Sequence, residues 1–178
     1  MVVVILGLAA WSSSPSRALR IVGMTLAGLT AVLIWNGGSA RLAALIISGT
    51  YGLFVTGVVI ADVITQRRVT FQVLCGALSA YLMLALSWAL FYMLAESLTP
   101  GSFHGLPEGE MPVMQNLQYF SIVTLTTLGY GDISPVTPTA QAMVAVQALV
   151  GQLFLAVLVA RIVALHLLDR EEEEDAGA

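Results

Sequence analysis

An all-α transmembrane fold is predicted by the composition and by the spacing of the apolar residues. Of the 178 residues, 58% are hydrophobic and only 10% are charged, and the mean hydropathy is +0.89. A soluble domain with so few charges would expose apolar surface to water and aggregate. The apolar residues also lie in runs of about 20, the length that a helix needs to cross a bilayer. The bilayer is therefore the solvent in which this chain is expected to fold.

The chain contains several long apolar runs and one short one. The long runs are residues 19–35, 42–64, 73–95 and 140–168. The first is near the lower limit for a span, and the last is longer than the bilayer, so we expect it to tilt or to protrude. The short run, residues 2–11, would reach only about 15 Å as a helix. It is either a shortened first span or a segment at the membrane surface, and it lacks the positive start of a cleaved signal peptide.

The arginines predict the orientation of these spans. The chain has seven arginines and no lysine. If the spans alternate in direction, all of the arginines except Arg41 fall on one side, which the positive-inside rule makes cytoplasmic. This set is Arg17, Arg20, Arg67, Arg68, Arg161 and Arg170. Residues 96–141 then lie outside.

A segment between the last two runs is too polar and too short to be a span. After Pro112, which suits a first helical turn, a helix to Thr126 would reach roughly 15 to 20 Å and enter the membrane only part-way. Its C-terminal end would aim the negative end of the helix dipole at the membrane centre, where a dehydrated cation is stabilised by it. Non-helical backbone at that depth is stable only where it lines a cavity. The sequence therefore predicts a re-entrant helix and loop.

The loop after this helix reads Thr-Leu-Gly-Tyr-Gly, a pattern suited to backbone carbonyl chemistry. Gly129 and Gly131 permit positive φ, which lets neighbouring carbonyls turn towards one axis. In four copies around that axis, such loops form stacked rings of oxygens that replace the hydration shell of potassium. The ring oxygens would be the carbonyls of Thr127, Leu128, Gly129 and Tyr130, with the Thr127 hydroxyl innermost. An ordinary turn is the alternative for a Gly-x-Gly, but its place after a half-length helix and between two spans favours an ion pore.

With these motifs, residues 71–168 resemble the pore module of the tetrameric potassium channel superfamily, especially its small prokaryotic members. The resemblance implies a homotetramer that conducts K⁺ selectively in a bacterial inner membrane, with the filter mouth outside. It divides the module into an outer helix (71–96), a turret and pore helix (97–126), a filter (127–132) and an inner helix (139–168). Residues 1–70 are then additional N-terminal transmembrane helices, and residues 169–178 are an acidic cytoplasmic tail.

The resemblance also implies roles for residues around the filter. Filter residues 127–131 would hold K⁺, and Asp132 matches the acidic residue behind the outer mouth. Tyr119 and Phe120 match the aromatic pair of the pore helix, where Tyr119 keeps a hydroxyl for Asp132, and Thr126 completes the support of the filter.

This chain departs from the pattern of the superfamily at three places. Leu128 replaces the commoner valine, a mild change because only its carbonyl faces ions. Phe120 cannot donate a hydrogen bond to the filter tyrosine. Val123 stands where some bacterial members have a glutamate, which argues against slow filter inactivation of that style.

The last apolar run carries a predicted hinge and cavity lining. Gly151 lies where the superfamily's inner helices have a hinge glycine, but a small residue that permits close helix packing explains it equally well. Four residues share one helical face below it and would line the cavity, where apolar side chains can close a pore by dewetting. They are Gln152, Ala156, Val159 and Val163. Arg161 lies off this stripe and is expected to reach the inner headgroups.

The acidic end of the chain has two interpretations. A charge run such as residues 169–175 is usually a solvated tail. The alternative is a pH-sensitive bundle, because four copies of His166, Glu171 and Glu172 would meet at the inner mouth and repel one another in a pH-dependent way.

Other function classes find little support in the sequence. No metal-ligand cluster, nucleotide loop or nucleophile with its base is visible, so we expect no enzyme activity, no organic cofactor and no nucleic-acid partner. Cys75 has no second cysteine with which to pair. The run 42–64 carries no arginine ladder, so intrinsic voltage sensing is not expected.

The remaining alternatives are a weakly selective cation channel and a non-conducting scaffold or sensor subunit. The N-terminal helices would pack around the pore, bind lipid or bind a regulatory partner.

Overall fold

The computed structural model describes residues 39–66, 70–107 and 110–177, with side chains for all of these except residues 39, 72, 110–112 and 165–177. The predictions for residues 2–11 and 19–35, for Arg17 and Arg20, and for the side chains of the acidic tail therefore lie outside the described residues.

Three of the described helices are long and apolar enough to cross a membrane. They are α1 (Ser39–Thr65), α2 (Phe71–Leu98) and α4 (Pro138–Gly177). Between α2 and α4 lies α3 (Glu110–Leu125), whose 16 residues reach about 24 Å and fall short of the roughly 30 Å hydrocarbon core. The predicted all-α transmembrane fold with a half-length helix is confirmed. The helix α4 continues to Gly177, past residue 168, where we expected the inner helix to end.

A two-stranded antiparallel pair joins the segments on either side of α3. Strand β1 (Phe103–His104) pairs with β2 (Ser134–Pro135), with Phe103 opposite Pro135 and His104 opposite Ser134. The strand β2 directly follows the loop after α3 and precedes α4. The pair therefore connects the end of this loop, which we call the filter loop, to the segment between α2 and α3, which we call the outer segment.

The helices α1 and α2 pack closely along small residues. A Cβ atom at Gly49 would lie 2.9 Å from the ring of Phe91, so a larger residue there would require this ring to shift. At the other end of the pair, a Cβ on Gly76 would lie 3.3 Å from the side chain of Val63. Helices in membranes associate through such close contacts, since lipid supplies no hydrophobic drive for them to pair. The helix α1 therefore packs directly against α2 and belongs to the same helix bundle.

The helix α4 is covered on one side only. Its apolar residues Leu149 and Leu153 are each 64% exposed, and Val157 is 54% exposed. A long apolar face remains open along the inner helix of a single chain.

Candidate ion-conduction site

The filter loop begins in the hydrogen bonds that end α3. The Thr127 N–H donates to the Thr124 carbonyl at 3.0 Å, and the Leu128 N–H donates to the Val123 carbonyl at 3.0 Å. These are the two bonds of a Schellman motif, in which the residue after the helix cap is left-handed. Thr127 occupies that position with φ of +58°. The end of the half-length helix therefore sets the direction in which the loop leaves it.

Left-handed backbone recurs at every second residue of the loop. The φ angles are +58° at Thr127, +57° at Gly129 and +78° at Gly131, whereas Leu128 and Tyr130 have no positive φ. A chain that alternates in this way turns successive peptide planes in the same sense, which is what a row of carbonyls facing one axis requires. The alternation extends over the whole of Thr-Leu-Gly-Tyr-Gly.

The two glycines are needed for conformation and not for space. A Cβ atom at Gly129 or Gly131 would meet nothing within 4 Å in the single chain, but both φ angles disfavour an L side chain. Thr127 adopts the same left-handed region at a cost of roughly 1–2 kcal/mol. Strain of this kind persists at functional sites when the side chain is required there. In Thr127 that side chain is a hydroxyl at the inner end of the loop.

Asp132 is held from two sides at the outer end of the loop. A hydrogen bond to its carboxylate raises the pKa of the Tyr119 phenol above the ordinary value of 10, and burial raises it further. On the other side, Gly105 has φ of +84°, and a Cβ there would lie 2.0 Å from the Asp132 carbonyl oxygen. Buried Ile133 follows directly. The structure thus brings together Tyr119 and Asp132, and adds Gly105, which sequence reasoning missed.

The pairing of Tyr119 and Asp132 predicts a pH-dependent contribution to stability. A raised phenol pKa in the folded state means that the bond stabilises the protein below pH about 10 and loses this effect as the pH rises through the raised value. We expect Tyr119→Phe to unfold at a lower temperature than the parent protein at pH 8, with the difference shrinking above pH 10. Thermal unfolding of both proteins across this range checks it, and a difference that stays constant would contradict the bond.

The Glu96 carboxylate fixes the backbone conformation of the segment before β1. Its carboxylate oxygens accept hydrogen bonds from the Gly101 N–H at 2.7 Å and from the Phe103 N–H at 3.2 Å. The Val136 N–H then donates to the Ser102 carbonyl at 2.8 Å. These contacts give the outer segment a fixed shape around the end of the filter loop.

Phe120 packs α3 against two other aromatic side chains. Its ring is 6% exposed and lies 5.4 Å from the ring of Tyr92 and 5.5 Å from that of Phe103. The rings of Tyr92 and Phe103 are 5.3 Å apart, which closes a three-ring cluster. Phe120 therefore acts by packing α3 against α2 and the outer segment.

A buried polar network joins α2, α3 and α4. Tyr92 of α2 donates to the Gln147 side-chain oxygen of α4. The Gln147 amide nitrogen donates to the Ser121 hydroxyl of α3 at 2.7 Å and to the Ser121 carbonyl at 3.1 Å. Ser121 in turn donates to the Ala85 carbonyl of α2 at 2.6 Å. Tyr92, Gln147 and Ser121 are all fully buried. Sequence reasoning missed this network, although its signal was present as polar residues within apolar runs.

A second joint lies at the inner end of α3. The Tyr81 hydroxyl of α2 donates to the Leu125 carbonyl at 2.8 Å, which satisfies one of the helix-end carbonyls. A Cβ atom at Gly151 of α4 would lie only 2.7 Å from the same oxygen. Close packing therefore accounts for Gly151, and bending at this residue remains a prediction.

We expect Gly151→Ala to weaken this joint. The new methyl group would overlap the Leu125 carbonyl oxygen and its side chain, at 2.7 and 2.8 Å, so α3 or α4 must shift. The matched control is Gly57→Ala in α1, where a Cβ would meet nothing within 4 Å and alanine is favoured in a helix by about 1 kcal/mol. Thermal unfolding should show destabilisation for Gly151→Ala and none for Gly57→Ala. Equal behaviour of the two variants would contradict the close contact.

The remaining predicted site residues fall into three groups. The loop residues Leu128 and Tyr130 are 55% and 66% exposed, while the Thr126 hydroxyl donates back into α3 to the Ile122 carbonyl at 2.8 Å. The predicted cavity residues all have exposed side chains on α4: Gln152, Ala156, Val159 and Val163. The side chains of the predicted pH-sensing residues lie outside the described set: His166, Glu171 and Glu172.

Part of the chain is similar in sequence to known proteins. Residues 80–166 match the family described as "Ion channel". The chain is also 41% identical over 73 residues to the two pore potassium channel c of rice (Oryza sativa subsp. japonica). That match covers 41% of this chain but only 16% of the relative. Over part of its length, the chain is therefore similar to ion channels, including a potassium channel.

Proposed function

We propose that this protein is a potassium-selective channel that conducts K⁺ passively across a membrane. The observation that carries the proposal is the alternation of left-handed backbone at Thr127, Gly129 and Gly131 in a loop that leaves a half-length helix. The named channel relative supports K⁺ as the permeant ion. No organic cofactor takes part in this function, and no catalytic step is assigned to it.

The ligands for K⁺ in this proposal are oxygens of the filter loop. Carbonyls of residues 127–130 form successive rings, with the Thr127 hydroxyl as the innermost ring. The negative end of the α3 dipole adds favourable potential at the inner end of the loop. The contact between Asp132 and Tyr119 keeps the outer end of the filter loop in position.

Four copies are needed for these oxygens to surround an ion. One chain supplies one oxygen at each level, and residues 126–132 are all exposed in it. Tyr130 makes no ring contact or hydrogen bond with the described residues of its own chain, and its ring is 66% exposed. The exposed apolar face of α4 must also contact apolar groups, because its exposure to water is unfavourable. A homotetramer around the filter axis satisfies the loop, Tyr130 and this face together.

The proposed orientation places the filter mouth outside and the far end of α4 in the cytoplasm of a bacterial cell. The exposed stripe from Gln152 to Val163 then lines the cavity below the filter, where its valines narrow the pore. The helix α1, with Arg41 as its only arginine, packs against α2 as a peripheral wall and is not a voltage sensor.

Flux into liposomes tests this proposal. Purified protein is reconstituted, and K⁺ uptake is compared with Na⁺ uptake in the same preparation. The proposal predicts K⁺ uptake that exceeds Na⁺ uptake and is blocked by barium, an ion with the size of K⁺ and twice its charge. Equal uptake of both ions would favour a weakly selective cation channel. No uptake at any pH or lipid composition, with no K⁺ binding by calorimetry, would favour a scaffold.

A further inference from the structure

The filter loop is attached to α3 through the carbonyls of Val123 and Thr124. The Val123 carbonyl accepts from the Leu128 N–H at 3.0 Å and from the Gly129 N–H at 3.4 Å. The Thr124 carbonyl accepts from the Thr127 N–H at 3.0 Å. Thr127 and Gly129 are also the first two left-handed positions of the loop. The direction in which the first filter carbonyls point therefore depends on how the last turn of α3 is oriented.

The carbonyls on either side of this pair anchor the same turn of α3 to two other helices. The Ser121 carbonyl accepts from the Gln147 amide of α4 at 3.1 Å, and the Leu125 carbonyl accepts from the Tyr81 hydroxyl of α2 at 2.8 Å. Because Ser121 and Leu125 are four residues apart, they lie on the same side of the helix. The two anchors together oppose a rotation of α3 about its axis, and such a rotation would carry the start of the filter loop with it.

Gln147 connects α3 to both α2 and α4 in a single hydrogen-bonded arrangement. Its amide nitrogen donates to the Ser121 hydroxyl at 2.7 Å as well as to the Ser121 carbonyl, and its side-chain oxygen accepts from the Tyr92 hydroxyl. The Ser121 hydroxyl spends its own proton on the Ala85 carbonyl at 2.6 Å. A reversed amide would place two oxygens against each other at the Ser121 carbonyl. The bonds are therefore compatible with one orientation of the Gln147 amide only.

The network is complete and buried within one chain. Gln147, Tyr92 and Ser121 each have 0% exposure. Hydrogen bonds in such surroundings are strong, and a member that moves out of place leaves a buried polar group unpaired. Since all partners belong to the same chain, assembly with other copies neither creates these contacts nor covers them. The orientation that they give to α3 is therefore a property of each subunit.

We propose that Gln147 is a positioning residue for K⁺ selectivity, because it fixes the orientation of α3 and thereby the placement of the filter carbonyls around the pore axis. The inference rests on the proposed potassium-selective function and adds to it a residue outside the filter loop. Ligand groups discriminate well only when neighbouring residues hold them within about 0.5 Å of their productive geometry. Removing a residue that orients metal ligands without touching the ion typically changes affinity or activity by about 10–100-fold.

Gln147→Met tests this role, since methionine keeps an unbranched side chain of similar length but cannot donate to Ser121. The matched control is Val63→Ala. Val63 is buried in α1 and faces Gly76 of α2, so its truncation lowers the unfolding temperature through lost packing and leaves the network unchanged. The reversal potential under opposed K⁺ and Na⁺ gradients measures the permeability ratio. We expect this ratio to fall by about tenfold or more in Gln147→Met and to keep the parent value in Val63→Ala.

Tyr92→Phe is a second and milder variant of the same network. It removes the hydroxyl that fixes the Gln147 amide, whereas the amide can still donate to Ser121. We expect a permeability ratio between that of the parent protein and that of Gln147→Met. This variant carries the test by itself if Gln147→Met does not assemble.

A second measurement does not depend on an open pore. Replacing Na⁺ by K⁺ in the buffer should raise the unfolding temperature of the parent protein and of Val63→Ala by the same amount. The rise should be smaller in Gln147→Met, because a site with lower K⁺ affinity gains less stability at the same ion concentration.

The proposed role of Gln147 is overturned if the network variants keep the permeability ratio and the K⁺-dependent rise of a selective parent protein. It is also overturned if Val63→Ala loses both to the same extent, since any loss of stability would then suffice. A parent protein that does not prefer K⁺ over Na⁺ would contradict the proposed function itself, and with it this role.

Discussion

Gly129→Ala is expected to abolish potassium flux. Gly129 has φ of +57°, a conformation that costs an alanine roughly 1–2 kcal/mol. The single chain has open space around this Cβ position, so the effect comes from the backbone and not from a clash. An alanine that relaxes to negative φ turns the neighbouring peptide planes and breaks the alternation on which the carbonyl row depends. In a tetramer the change occurs four times around the same ring. Potassium uptake by liposomes that contain equal amounts of each protein measures it.

Gly101→Ala is the matched control for this variant. Gly101 also has a positive φ, +82°, and open space within 4 Å, but it lies in the outer segment before β1. Its backbone strain is therefore similar, while the filter loop is left unchanged. We expect Gly101→Ala to retain potassium flux. Loss of flux in both variants would show that backbone strain anywhere in the outer part is sufficient, and would contradict the special role of Gly129.

Gln147→Leu is expected to destabilise the protein by about 2–3 kcal/mol. Leucine has a similar size but cannot accept from Tyr92 or donate to Ser121. The buried Tyr92 hydroxyl therefore loses its acceptor, and Ser121 loses one of its hydrogen bonds. Hydrogen bonds between membrane helices average about 0.6 kcal/mol each, which sets the lower range of the effect. Thermal unfolding in detergent measures the loss.

A double-mutant cycle separates this network from a general effect of the substitution. Tyr92→Phe removes the donor to Gln147, so Gln147→Leu should cost less in that background, with a coupling of at least about 0.5 kcal/mol. The control is Gln141→Leu, an exposed residue of the same helix, which should be additive with Tyr92→Phe. Additivity of the Gln147 and Tyr92 substitutions would contradict the observed contact.

The spans and the half-length helix could be predicted because they depend on local features of the sequence. Runs of about 20 apolar residues identify α1, α2 and α4, and a polar, shorter run with a following Gly-x-Gly identifies α3 and its loop. The end of α4 could not be placed in the same way, since the acidic run after residue 168 suits both a solvated helix and an irregular tail.

The contact between Tyr119 and Asp132 was expected from the resemblance, but the contacts that join α2, α3 and α4 could not be predicted from the sequence. Tyr81, Tyr92 and Gln147 stand out as polar residues in apolar runs, but their partners depend on which faces of three helices meet. Hydropathy does not show these faces in a chain whose helices are apolar all round. Gly151 illustrates the same limit: its spacing from the filter suited a hinge and a packing contact equally, and only the 2.7 Å approach to the Leu125 carbonyl oxygen distinguishes a specific need for glycine.

The reversal potential under opposed potassium and sodium gradients tests the central claim most directly. It reports the ratio of the two permeabilities and does not depend on how many channels are open or on what opens them. With potassium on one side of a planar bilayer and sodium on the other, the carbonyl filter at residues 127–131 predicts a reversal potential close to that of a membrane permeable to K⁺ alone. A reversal potential near zero in the parent protein would contradict a potassium-selective filter.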